Sequence, residues 1–126
     1  IECAEFPEAP VPDAHPSIIE KACVIEGERL FSGIGAQEYV IVLDRMGRPV
    51  SSEGLAEIIK RCEVEGPYQV VFVIGGPYGL SEACKKRADM ILSCSAMTFP
   101  HQLARLILYE QIYRAFSIIR GQPYHR

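Results

Sequence analysis

The chain has 126 residues, 14.0 kDa, 48% apolar and 23% charged side chains, enough for one compact domain with a core and too little for two. No apolar run approaches the roughly 18 residues that a membrane helix needs, and the composition argues against disorder, so the expectation is a soluble globular domain. The formal net charge of −3 hides an asymmetry, because residues 1–66 carry 13 acidic and 6 basic side chains whereas residues 67–126 carry 3 and 7. A basic second part can meet a polyanion although the whole chain is acidic, while a chance scatter of solvated charges explains the asymmetry equally well.

Ile1 to Phe6 reads as a strand, and because the chain opens inside it without an initiator Met, a further N-terminal element is expected before it. Pro7 to Pro16 is a proline-rich loop. From Ser17 to Leu30 the apolar positions Ile18, Ile19, Ala22, Ile25 and Leu30 share a helical face, with Gly33 and Gly35 as stop signals. Tyr39 to Asp44 is a continuous β-branched run of the kind buried in a parallel sheet, ended by a polar Gly/Pro segment through Pro49. Ser51 or Ser52 caps a helix running to about Val64, with Leu55, Ile58 and Ile59 inward, and Gln69 to Ile74 is a second strand. Together these elements make a βαβ unit.

Gly75-Gly76-Pro77-Tyr78-Gly79 follows, then Ser81-Glu82 as the cap of a short helix to about Ala88. Met90 to Cys94 reads as a third parallel strand and Ser95 to Pro100 as a loop. The last helix, about Pro100 to Ile118, carries a stripe of Leu103, Leu106, Ile107 and Phe116 that reads as core or dimer seam.

Three loops, after Leu43, Ile74 and Cys94, leave the carboxyl ends of these strands, where open α/β sheets bind ligands. The glycine loop is neither a Walker loop nor G-x-G-x-x-G, and by itself a structural turn explains it as well as a ligand loop. Glu110 and Arg114 sit one turn apart, the spacing of an intrahelical ion pair. Tyr124, His125 and Arg126 combine a stacking ring, a group that titrates near neutrality and a permanent cation, on a terminus of the kind that commonly frays. Five widely spaced cysteines form no C-x-x-C pair and read as reduced intracellular thiols. The three histidines lack the spacing of a helical metal pair, so no metal is expected.

Four segments in order, Gly75 to Leu80, Leu92 to Gln102, Glu110 to Ala115 and Pro123 to Arg126, resemble the RlmH family, the ribosomal RNA large-subunit methyltransferases H of the SPOUT superfamily. The resemblance implies an α/β fold, a SPOUT-type parallel sheet with a C-terminal trefoil knot, in a single domain over residues 1–126 that lacks the family's first strand and helix. It implies S-adenosylmethionine held by Leu43, Gly75, Cys94, Ser95, Ala96, Met97, Thr98 and Phe99, and a homodimer packed through the last helix. The implied activity is methylation of N3 of a pseudouridine in large-subunit (23S-type) rRNA, with the ribosome as partner, in the cytoplasm or an organelle and at no membrane. On that reading His125 is the candidate base or proton shuttle, Arg126 stabilises the anion or grips phosphate, Tyr124 positions the base, and Glu110 with Arg114 orients the tail across the dimer. Two rival readings stand beside it: a non-catalytic S-adenosylmethionine- or ribosome-binding module of this fold, and a SPOUT methyltransferase acting on a different RNA.

Overall fold

The computed structural model describes residues 16–65, 69–75 and 80–126. The strand expected at Ile1–Phe6, most of the proline-rich loop and the glycine loop from Gly76 to Gly79 lie outside the described residues. The elements run α1 (Pro16–Phe31), β1 (Tyr39–Pro49), α2 (Ser52–Glu65), β2 (Val70–Ile74), α3 (Glu82–Arg87), β3 (Met90–Ser93) and α4 (His101–Ile119). The three strands form one parallel sheet in the order β2-β1-β3.

Alternation along β1 distributes its side chains between two cores. Ile41 packs with Leu55, Ala56 and Ile59 of α2, Leu92 of β3 and Ala115 of α4, whereas Val40 and Val42 pack with Val73, Leu80 and Cys84 on the other side. Helices therefore cover both faces, α2 and α4 on one and α1 with α3 on the other. Asp89 pins the entry to β3 against β1: its carboxylate accepts the Val40 N–H at 2.8 Å and its own N–H donates to the Val40 carbonyl at 2.9 Å.

The helix caps follow the sequence. Ser51 accepts from the Gly54 N–H at 3.0 Å ahead of α2, and Ser81 accepts from the Cys84 N–H at 3.4 Å ahead of α3. One expected inward position is corrected. Ile25 of α1 is 41% exposed, and the described buried positions of that helix are Cys23 and Gly27, which lies against Cys84 of α3. The side chains of Ile18, Ile19, Ala22 and Leu30 lie outside the described set. In α4 the core face is Leu108, Ile112 and Ala115, while Leu103 and Leu106, from the stripe read as core or dimer seam, are exposed and so do not belong to the core. Leu108, Ile112 and Ala115 are spaced four and three apart, so they share one side of the helix.

β1 also runs further than the β-branched segment. Leu43 and Arg48 both pair with Leu92, so residues 44–47 leave the ladder as an excursion before pairing resumes at Arg48 and Pro49. Gly47 makes this possible: a Cβ there would stand 2.8 Å from the Ile91 backbone carbon and oxygen, too close for any side chain. Gly47→Ala is expected to lower stability by about 1–3 kcal/mol, the usual cost of overpacking, read as a lower urea midpoint with the slope unchanged.

Candidate active site

Register fixes which groups share the carboxyl edge of the sheet. Leu43 is level with Ile74 and with Leu92, so Asp44, Gly75 and Ser93 emerge together. The buried Ser93 hydroxyl lies 3.1 Å from the Arg45 carbonyl and 3.0 Å from the Ser95 carbonyl, its single proton shared between them. That hydroxyl ties the β1 excursion to the 94–99 loop. Ser95 accepts the Met97 N–H at 3.0 Å, which tightens the same loop. His101 Nδ1 stands 3.2 Å from the Gly75 carbonyl, an acceptor, so this nitrogen carries the proton and joins the start of α4 to the end of β2.

Asp44 is an addition to the expected set. Burial pushes its carboxyl up, but the Met46 N–H and the Lys85 ammonium, 3.1 Å away, outweigh burial and hold it below the ordinary carboxylate range. Burial pushes the Cys94 thiol up, which keeps it protonated near neutrality and unsuited to be a nucleophile.

At the other end of α4 the chain reverses. Arg120 caps the helix, Gly121 adopts φ +68°, and the N–H groups of Gly121 and Gln122 donate to the Ile118 and Ser117 carbonyls at 3.1 and 2.9 Å. This is a Schellman motif, which turns the tail back along the helix it has just left. The Tyr124 ring then meets Tyr113 edge-on at 4.8 Å and lies 4.9 Å beneath the Arg114 guanidinium, while its hydroxyl donates to Glu110 Oε1 at 3.2 Å. Arg114 donates through Nε and Nη2 to the same Glu110 oxygen, at 2.9 and 2.6 Å. His125 closes the cluster, with Nδ1 3.1 Å from Arg114 Nη1 and Nε2 2.6 Å from Glu53 Oε1 at the start of α2. The structure thus brings together four of the five expected tail-region residues, and Arg126 stands exposed after them.

A cleft of about 270 Å³ lies among the start of α2, the end of β3 and α4, lined by Ser52, Leu55, Ser93, Cys94, Ile107 and Gln111 among others. Ser52 donates to Gln111 Oε1 at 2.6 Å, and Gln111 Nε2 donates to Glu110 Oε2 at 2.9 Å, so the cleft wall is continuous with the tail network. A second hollow of about 300 Å³, lined by Tyr39, Arg61, Glu65 and Asp89, sits at the amino ends of the strands, away from every expected site residue.

A family model described as "Predicted SPOUT methyltransferase" matches residues 2–125. The chain belongs to the SPOUT methyltransferase family. It is 71% identical over 126 residues, all of this chain and 79% of the relative, to a protein of Methanospirillum hungatei named as a candidate ribosomal RNA large subunit methyltransferase H. The ribosomal RNA large subunit methyltransferase H of Halothermothrix orenii is 50% identical over 115 residues, 91% of this chain and 72% of that protein. Its counterpart in Natranaerobius thermophilus is 44% identical over 126 residues, 99% of this chain and 79% of that protein. The resemblance carried by the four sequence segments is therefore shown.

A methyltransferase requires a methyl donor, and the 94–99 loop offers hydroxyls at Ser95 and Thr98, apolar Ala96, Met97 and Phe99, and no charged side chain. Sequence reasoning missed Glu53, Ser52 and Gln111. Ser52-Glu53 had a visible signal only as a helix start, and Gln111 only as a neighbour of Glu110.

The carboxylates of the tail network set its acid limit. Hydrogen bonds from Arg114, joined by Tyr124 and Gln111, hold Glu110 below the ordinary carboxylate range against a smaller opposing effect of burial, and the His125 hydrogen bond does the same for Glu53. A depressed folded value contributes stability that is complete above the unfolded value and is lost as pH falls through the folded one. The tail is expected to stay docked near neutrality and to release only as pH falls below the ordinary carboxylate range. The Tyr124 ring resonances, shifted by the Tyr113 ring, report this, and in Glu110→Gln the docked shift should already be diminished at pH 7.

Proposed function

We propose that this protein is an S-adenosylmethionine-dependent methyltransferase that methylates N3 of a pseudouridine in large-subunit rRNA. The observation that carries the reading is the docked tail: Glu110, Arg114, Tyr124 and His125 form one network, joined through Gln111 to a cleft that Cys94 helps to line. The names of the relatives, ribosomal RNA large subunit methyltransferase H, supply the substrate class.

The donor, when bound, supplies an electrophilic methyl group on a positively charged sulfur. Leu43, Gly75 and residues Cys94 to Phe99 would hold it, in keeping with the shared carboxyl edge and the uncharged loop. The acceptor imide N–H is weakly acidic and a poor nucleophile until its proton is removed, so the work left to this chain is orientation and charge. His125 is the candidate proton acceptor or relay. Arg126, exposed at the chain end, would stabilise the imide anion or grip a phosphate, and the basic second part of the chain suits a polyanion. Tyr124 and the Glu110–Arg114 pair hold the tail against α4, and in the homodimer of this reading they would orient it across the seam.

The same reading includes a C-terminal trefoil knot, a single catalytic domain, work on assembled ribosomes in the cytoplasm, and a homodimer. The exposed Leu103, Leu106 and Tyr113 of α4 supply an apolar face for a second copy. Among the described residues no helix is long and apolar enough to cross a membrane.

The test is methyl transfer from S-adenosylmethionine to ribosomes that lack the modification, with the nucleoside products identified by mass spectrometry. The expected product is N3-methylpseudouridine, and Arg114→Ala should lower the single-turnover rate by about 100-fold, within the range positioned groups contribute. A methylated tRNA or a different rRNA nucleoside would overturn the substrate assignment. Donor binding without turnover would leave only the binding-module reading.

A further inference from the structure

We infer that Glu53 is a positioning residue that selects which nitrogen of His125 can accept a proton, an inference that rests on the methyltransferase reading above. The Arg114 guanidinium has donors only. Its Nη1 stands 3.1 Å from His125 Nδ1, so Nδ1 presents its lone pair and the ring proton is on Nε2. Nε2 is 2.6 Å from Glu53 Oε1, a length suited to an N–H donated to a carboxylate. Two contacts from two helices thus assign one tautomer to an imidazole on a chain terminus.

Glu53 is well placed for the task although it is exposed. It lies in the first turn of α2, where the helix dipole favours a negative charge, and Ser51 caps that helix through the Gly54 N–H. Leu55, Ala56 and Ile59 anchor α2 in the core, so the carboxylate projects from a fixed element. The His125 hydrogen bond, with help from the Glu53 backbone N–H and Ser51, keeps Glu53 ionised at neutral pH. A carboxylate on one imidazole nitrogen fixes the tautomer and the ring's orientation and balances the charge gained when the other nitrogen takes a proton.

The groups around His125 are Glu53 from α2 and Arg114 with its partner Glu110 from α4, with Tyr124 stacked beneath Arg114. While Arg114 faces Nδ1, that lone pair is masked. An anion that draws the guanidinium away, an RNA phosphate or the imide anion itself, leaves Nδ1 free in the direction Arg114 occupied. The imide proton then moves to Nδ1, its electron pair stays on the imide nitrogen, and the charge of the new imidazolium is balanced by Glu53.

The test is ¹⁵N NMR of the His125 ring in the full chain, assigned by the signal lost in His125→Gln, together with steady-state methylation of ribosomes. The wild type should show the Nε2–H tautomer at pH 8. Glu53→Gln, which retains an acceptor and loses the charge, should keep that tautomer with a kcat reduced about tenfold, and Glu53→Ala should give mixed tautomers with a kcat reduced about 100-fold. KM for S-adenosylmethionine should stay within about twofold in both, because Glu53 acts through His125 and not on the donor. An Nδ1–H tautomer in the wild type, or a Glu53→Ala chain with unchanged tautomer and kcat, would overturn the inference. If the wild type methylates no ribosome, the methyltransferase reading fails, and the tautomers alone then decide whether Glu53 orients His125.

Discussion

The candidate active site depends on the Arg114 guanidinium. It makes two hydrogen bonds to Glu110 Oε1, caps the face of the Tyr124 ring and donates to His125 Nδ1, so one side chain on one turn of α4 holds two of the last three residues of the chain. A lysine could not replace it, because a point charge cannot serve a carboxylate, a ring face and an imidazole lone pair in fixed directions at once. Exposed ion pairs are individually weak, and this one gains its value from the network that it closes.

That network is useful only because the sheet places something beside it. Parallel pairing makes the ends of β1, β2 and β3 level, and α2 and α4 pack on the same face through Ile41, Leu55, Ile59 and Ala115. The first turn of α2 is thereby brought to the middle of α4, where Ser52 meets Gln111 and Glu53 meets the returning tail. Ser93 couples the β1 excursion to the 94–99 loop on the other side of the cleft. The core of the fold and the polar site are therefore one construction: the apolar faces of α2 and α4 set the spacing, and their edges carry the chemistry.

Much of this was legible in the residues. β-branched runs marked β1 and β2 and an apolar run marked β3, Ser51 and Ser81 marked helix starts, and the i, i+4 pair Glu110–Arg114 is present as its spacing implies. What escaped was set by distance along the chain or by context. Glu53 and His125 are 72 residues apart and Ser52 and Gln111 59 apart, contacts that no local period encodes. The tail looked prone to fray because the Schellman turn at Gly121 has meaning only once α4 and its carbonyls are in place. Leu103 and Leu106 fell in a stripe that read as core or dimer seam, because hydrophobic spacing identifies an apolar face without identifying what covers it. The polar segment after Asp44 was read as the end of β1, since a four-residue excursion followed by renewed pairing has no compositional signature.

The level strand ends and the 94–99 loop, beside the docked tail, are the proposed seat of the methyl donor. Calorimetric titration of the chain with S-adenosylmethionine tests it most directly. The account predicts saturable binding with one site per chain, accompanied by amide shift changes concentrated at Leu43, Gly75 and residues 94–99. A folded chain that takes up no donor, or that binds it with shifts confined to the hollow at the amino ends of the strands, would contradict it.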